Sequence, residues 1–224
     1  MTIKRIGIVS GVAFELDAFL PGNHGDLVEM VGLGVRSLTH AGKQVLLACE
    51  GIGKVASATA ASVLAVAGKV DLLIVIGTAG KIGPRPESLF KITSAFEADY
   101  GARQEDRFVH YSAGVIPIGP PKLHFYQAML TPKLDLPAAR IATSDSFVES
   151  PSHAAYLNTT FAADLVDMET AAVAHVASRR RIPWCAIKAA TDDANSDSAV
   201  DFHSNLTAAA RTAAVATEDF IARL

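Results

Sequence analysis

Cysteine and charge are both scarce in this chain, and each shortage closes off a class of protein. The two cysteines among 224 residues, Cys49 and Cys185, are too few for a disulfide framework. Both sit in apolar, strand-like runs (QVLLACE and IPWCAIKAA), where free buried thiols of a reducing compartment are expected. Charged residues make up 19% of the chain and the net charge is −3. The basic face that non-specific nucleic-acid or membrane-surface binding requires is therefore missing. A run of about 18 uncharged apolar residues is also missing, which argues against a membrane span. No opening segment combines a charged start, an apolar middle and a small-residue cleavage site. The expectation is a cytoplasmic protein with a small-molecule ligand, no nucleic-acid partner and no membrane partner.

Several common chemical signatures are absent as well. Gly51-Ile52-Gly53-Lys54 looks like a phosphate loop, but it lacks the full spacing, and Val55 stands where Ser or Thr should follow the lysine. A G-x-G-x-x-G fingerprint and a G-x-S-x-G elbow are both missing. The seven histidines show no metal-ligand spacing, and His153, His175 and His203 read as structural or solvent-facing.

What the chain does have is apolar bulk: half of its residues are hydrophobic, enough to bury a real core. KRIGIVS (4–10) and QVLLAC (44–49) read as buried strands, and LLIVI (72–76) is the clearest of all, closed by Gly77-Thr78-Ala79-Gly80. Between them lie helical segments at 13–20 and 55–67, the second rich in Ala, Ser and Val. Further strands are expected at 89–95, 140–144 and 184–190. Ser150-Pro151 reads as a helix N-cap followed by proline at the first helical position. Helices follow at 170–180 and 203–223, and Arg179, Arg180 and Arg181 complement the negative end of the first. Residues 99–132 show no clean period and read as loops and short strands that shape a pocket. The alternation of strand and helix predicts an α/β fold with helices on both faces of the sheet, a three-layer α/β/α arrangement, in one domain spanning 1–224.

Ligands of open α/β sheets sit beyond the carboxyl ends of strands. Four polar groups fall at such ends: Glu15, Thr78, Glu169 and Asp192. Three acids gathered there could protonate a leaving group, activate a water and hold sugar hydroxyls. Each has a plainer reading. Glu15 and Glu169 could be solvated first-turn helix acids, Asp192 a turn residue and Thr78 a strand-end cap.

The same residues carry a family likeness. IGIVSGVAFELDAF, EGIGKVASATAASVLA, DLLIVIGTAGKI, VDMETAAVAHVA and AIKAATDDAN resemble, in order, successive motifs of the nucleoside phosphorylase/nucleosidase superfamily. Within it they look most like the 5′-methylthioadenosine/S-adenosylhomocysteine nucleosidases. Residues 99–136 match least. The resemblance implies a central mixed twisted sheet and hydrolysis of a purine nucleoside, with no metal or organic cofactor. It implies that Asp192 protonates the leaving base, Glu15 activates water and Glu169 binds the ribose hydroxyls. Met168 would lie beneath the ribose and Thr78 near the water. Phe147 and Val148 would hold the base, and Ile52 and Phe202 the 5′ substituent. Lys188 falls on a family arginine beside the water, whose planar fork lysine cannot reproduce.

Phosphorylases of the superfamily use phosphate, gripped by arginines. Val75-Ile76 occupies one such place here, and Glu15 would repel phosphate, which leaves Arg36 as the candidate phosphate ligand. A futalosine hydrolase, a phosphorylase and a non-catalytic nucleoside binder are the alternatives. Members of the superfamily are commonly homodimers in which a neighbouring subunit helps close the 5′ pocket.

Overall fold

The computed structural model describes residues 2–129 and 133–224. Their strands are β1 (Arg5–Val9), β2 (Asp26–Met30), β3 (Leu33–His40), β4 (Lys43–Ala48), β5 (Leu72–Lys81), β6 (Leu89–Glu97), β7 (Gly101–Arg103), β8 (Phe108–His110), β9 (Tyr126–Gln127), β10 (Ala138–Thr143), β11 (Leu165–Asp167) and β12 (Trp184–Asp192). The helices are α1 (Ala13–Asp17), α2 (Lys54–Val66), α3 (Pro151–Phe161), α4 (Thr170–Arg180) and α5 (Ser198–Ala222). Ten strands form one mixed sheet in the order β11-β10-β6-β12-β5-β1-β4-β3-β2, with β9 attached to β6.

The central strands are apolar on both faces because helices cover both. Along β5, Leu73 and Val75 join the core beneath α2 and α4, together with Ala60, Ala61, Leu64, Ala171 and Ala174. Leu72, Ile74 and Ile76 alternate to the other face, where they meet Leu16 of α1 and Ala214, Phe220 and Ile221 of α5. The alanines of α2 and α4 let these two helices approach closely over the sheet. Around α3, Ala154 and Leu157 pack against Phe96 and Val166.

The expected α/β/α layering is present, with four differences of detail. First, β5 does not stop at Ile76. It continues through Lys81, because Gly77–Gly80 still pair with β12 and Gly80-Lys81 pair antiparallel with β11. That second pairing closes β5, β12, β6, β10 and β11 into a circuit. Second, the β2–β3 hairpin was not foreseen: β2 is an edge strand with little burial, so no apolar run announces it. Third, α1 ends at Asp17, and Leu20 turns into the left-handed region at φ 47°. Fourth, α5 begins at Ser198, five residues earlier than the apolar pattern suggests. The Ser198 hydroxyl accepts the Asn195 N–H at 2.7 Å and so closes the entry turn.

Local chemistry held elsewhere. The Ser150 hydroxyl accepts the His153 N–H at 3.3 Å with Pro151 at the helix start, and α4 has the expected bounds with Arg181 as its left-handed C-cap. Residues 99–129 contain only the short β7–β8 pair and β9, and residues 130–132 lie outside the described part of the chain. Cys49 and Cys185 are free thiols, and burial pushes both above the ordinary thiol range.

Candidate active site

One cavity of about 280 Å³ opens where β1, β5, β11 and β12 converge, and its lining includes Glu15, Thr78, Met168, Glu169 and Asp192. Ile52, Phe147, Val148 and Phe202 line the same space. Nine of the ten residues expected from the sequence to serve catalysis or nucleoside binding thus meet around one volume. The tenth, Lys188, lies beneath it.

Glu15 enters from α1, directly after β1. It is only 4% exposed, which removes the reading of a solvated helix acid. One carboxylate oxygen, Oε1, accepts the Thr78 N–H at 2.8 Å and the Thr78 hydroxyl at 2.7 Å. The other accepts the Ser10 hydroxyl. Thr78 is therefore more than a strand-end cap, since both its backbone and its side chain fix this carboxylate. The approach depends on Gly77, where φ is +132° and an added Cβ would stand 2.4 Å from Glu15 Oε2.

Asp192 is the last residue of β12. The pairing with β5 slips between Ala190 and Asp192, so that Asp192 comes opposite Gly80. This irregularity turns the side chain into the cavity. Its carboxylate accepts the Ala194 N–H at 3.0 Å and the Thr191 hydroxyl at 2.8 Å.

Glu169 arrives from the opposite direction, because β11 runs antiparallel to β5. The residue is the N-cap of α4 and is buried. Its carboxylate accepts the N–H of Gly53 at 3.4 Å and of Met168 at 3.3 Å. Gly11 makes room for it, since a Cβ there would lie 2.4 Å from Glu169 Oε1. Burial, opposed by Lys188 and reinforced by Asp167 and Glu15, pushes the Glu169 carboxyl up to about 7.

Lys188, 1% exposed, places its Nζ 3.0 Å from Asp167 and 3.7 Å from Glu169. Burial pulls its ammonium down, but the carboxylates of Asp167, Glu169 and Glu15 outweigh that and hold it above the ordinary lysine range. Asp167 also accepts the hydroxyls of Thr143 at 2.6 Å and of Thr170. Lys188 is thus the base of a buried ion-pair network that aims Glu169.

Sequence reading missed Asp167, Ser10 and the lining residue His203. Asp167 adjoins the recognised Met168-Glu169 pair, and that position was its only available signal. His203 is solvent-facing as expected, yet it also borders the cavity. Arg36 does not line the cavity; it pairs with Asp17 at 2.8 Å.

Residues 5–222 match the model of the phosphorylase superfamily. The chain belongs to that superfamily. Its fold is shared with the 5′-methylthioadenosine/S-adenosylhomocysteine nucleosidase of Helicobacter pylori, at 22% identity and a TM-score of 0.86, with 100% of both chains covered. A futalosine hydrolase mutant of Helicobacter pylori strain 26695 is similar at 22% identity and a TM-score of 0.85, covering 99% of this chain and 100% of that one. The corresponding nucleosidase of S. pneumoniae, solved with a transition-state inhibitor, is 25% identical with a TM-score of 0.81, over 97% of this chain and 98% of that one. In this member of the superfamily, the described cavity lining carries four carboxylates, from Glu15, Asp167, Glu169 and Asp192, and neither lysine nor arginine.

Proposed function

We propose that residues 1–224 form one domain that hydrolyses the N-glycosidic bond of a purine nucleoside, with 5′-methylthioadenosine and S-adenosylhomocysteine as first substrates. The observation that carries this reading is the convergence of three separately supported carboxylates on one small cavity. Asp192 protonates the departing base, because a purine anion leaves poorly. Glu15 accepts a proton from the attacking water and faces the oxocarbenium-like charge on the sugar. Glu169 accepts the ribose hydroxyls, with Met168 beneath the ring. Phe147 and Val148 hold the base, and Ile52 and Phe202 meet the 5′ substituent.

Water rather than phosphate is favoured by charge. A phosphate dianion entering this cavity finds no arginine or lysine among the described lining residues to hold it and meets the Glu15 carboxylate. Futalosine is the second substrate reading, since the two kinds of Helicobacter pylori hydrolase match this fold about equally well. Ile52 is 58% exposed and Phe147 46% exposed. Apolar walls left open in this way suit a homodimer in which a second copy completes the 5′ end of the site. A cytoplasmic place in nucleoside and methionine salvage accords with this chemistry.

Chromatographic detection of free base tests the reading on methylthioadenosine, adenosylhomocysteine, adenosine, inosine and futalosine, each with and without phosphate. Adenine released from the first two without phosphate is the expected result. Release only with phosphate, giving a sugar 1-phosphate, would make the enzyme a phosphorylase. No release from any of them would return the protein to nucleoside binding without catalysis.

A further inference from the structure

Behind the cavity, and outside its lining, lies a second cluster of charge. Lys54 opens α2, one residue beyond Gly53, and its Nζ reaches Asp99 at 2.6 Å, Glu97 at 3.7 Å and Asp145 at 3.9 Å. Its backbone N–H donates to Asp145 at 2.7 Å. Asp99 in turn accepts the Asp145 N–H at 2.8 Å. A carboxylate is well placed at a helix N-terminus, where the unpaired N–H groups and the dipole favour it. Glu97 continues the chain of contacts to His175 at 3.2 Å and to the Tyr126 hydroxyl at 3.4 Å.

Two walls of the cavity are fastened here. One is the turn at 50–53, which brings Ile52 to the mouth and the Gly53 N–H to Glu169. The other is the 144–148 segment, which supplies Ser146, Phe147 and Val148. Neither wall belongs to a strand or helix, and the backbone hydrogen bonds described for them lie at their ends, from the Ser144 N–H to the Asp167 carbonyl at 3.0 Å and from the Ser57 N–H to the Gly53 carbonyl at 3.0 Å. Among the described residues, Lys54 is the one lysine or arginine paired with Asp99 and Asp145, the carboxylates that join them.

We propose that Lys54 is a positioning residue, closing an ion-pair clamp that holds the 50–53 turn against the 144–148 segment and so sets the distance between the two walls that grip the substrate. The clamp touches no reacting atom. It acts through Gly53 and Ile52 on one side and Phe147 and Val148 on the other. With Lys54 neutralised, Asp99 and Asp145 lose the counter-charge they share, and like charges at this range separate. Burial opposes the charge on Lys54, but Asp99, Glu97 and Asp145 together hold its ammonium above the ordinary lysine range, so the cation is present at neutral pH.

The inference rests on the hydrolase reading for its kinetic arm only. Lys54→Gln should raise KM for the nucleoside about tenfold with kcat changed by less than about threefold, because ground-state grip is lost while Asp192 and Glu15 stay in place. Asp99→Asn loosens the clamp from its other end. The double variant should be no worse than Lys54→Gln alone, since both changes remove one interaction. An unchanged KM, or additive effects in the double variant, would overturn the proposal.

Amide hydrogen exchange on the same variants gives a readout free of catalysis. Peptides spanning 50–54 and 144–148 should exchange faster together, with α4 and β12 unchanged. Exchange rising throughout the molecule, or in neither segment, would refute the clamp. If the wild type releases no base from any nucleoside, the hydrolase reading falls while the exchange experiment still decides the clamp.

Discussion

At the scale of single residues, the site turns on carboxylates whose surroundings differ. Asp192 accepts two hydrogen bonds, from Ala194 and Thr191, and its amide analogue has the same shape. Asp192→Asn should therefore fold normally, with an unchanged thermal midpoint, while base release falls by about 10²–10⁴, the range for loss of a general acid. Near-normal turnover in that variant would remove Asp192 as the proton donor. Glu169 behaves differently, because its carboxyl is raised from 4.5 to about 7 mainly by burial. If ribose hydroxyls donate to its ionised form, KM should fall as pH rises from about 6 to about 8. The same shift has a consequence for stability. A carboxyl whose folded pKa lies above its unfolded value adds stability below the unfolded value, and that contribution is lost as pH rises through the folded one. Glu169→Gln escapes the loss. It should melt higher than wild type at about pH 8, with the gain shrinking toward about pH 5 in the same melting series. A gain independent of pH would mean that ionisation of Glu169 is not its source.

At the scale of elements, glycines decide whether the carboxylates fit. β5 passes Glu15 at Gly77, where φ is +132° and a methyl group would meet the carboxylate at 2.4 Å. Gly77→Ala should cost about 1–3 kcal/mol in denaturant unfolding from the strained backbone alone. Base release should fall by at least about 100-fold, because Glu15 and Thr78 can no longer meet. Wild-type activity in Gly77→Ala would show that the Glu15–Thr78 contact does not position the water. The irregular pairing at the end of β12 works to the same purpose, since a regular strand would carry the Asp192 side chain to the other face.

At the scale of the whole molecule, the closed circuit of β5, β12, β6, β10 and β11 is what lets Glu169, on a strand antiparallel to β5, share a cavity with Glu15 and Asp192. The mouth of that cavity is left apolar and open at Ile52 and Phe147. A homodimer built across it should appear as a doubled mass in light scattering, and Ile52→Glu should return the mass to that of one chain. A monomeric wild type that still releases base would show that a single copy completes the site.

Much of this was legible in the chain itself. Apolar runs placed β1, β4, β5 and β12, Ser150-Pro151 placed α3, and acids at strand ends pointed to one site. These signals are local: burial on both faces demands uninterrupted apolar residues, and capping needs a particular side chain at a particular position. The Asp167–Lys188 pair, the Lys54 clamp and the β2–β3 hairpin were not legible. Residues 21 to 91 positions apart in sequence make those ion pairs, from Asp167 and Lys188 at one extreme to Lys54 and Asp145 at the other, and an exposed edge strand carries no distinctive period. The sequence by itself determined which segments are buried and which side chains have chemistry to offer. Only the tertiary structure decided which of them meet, because pairing at long range depends on the order and direction of strands, and neither is written in any one segment.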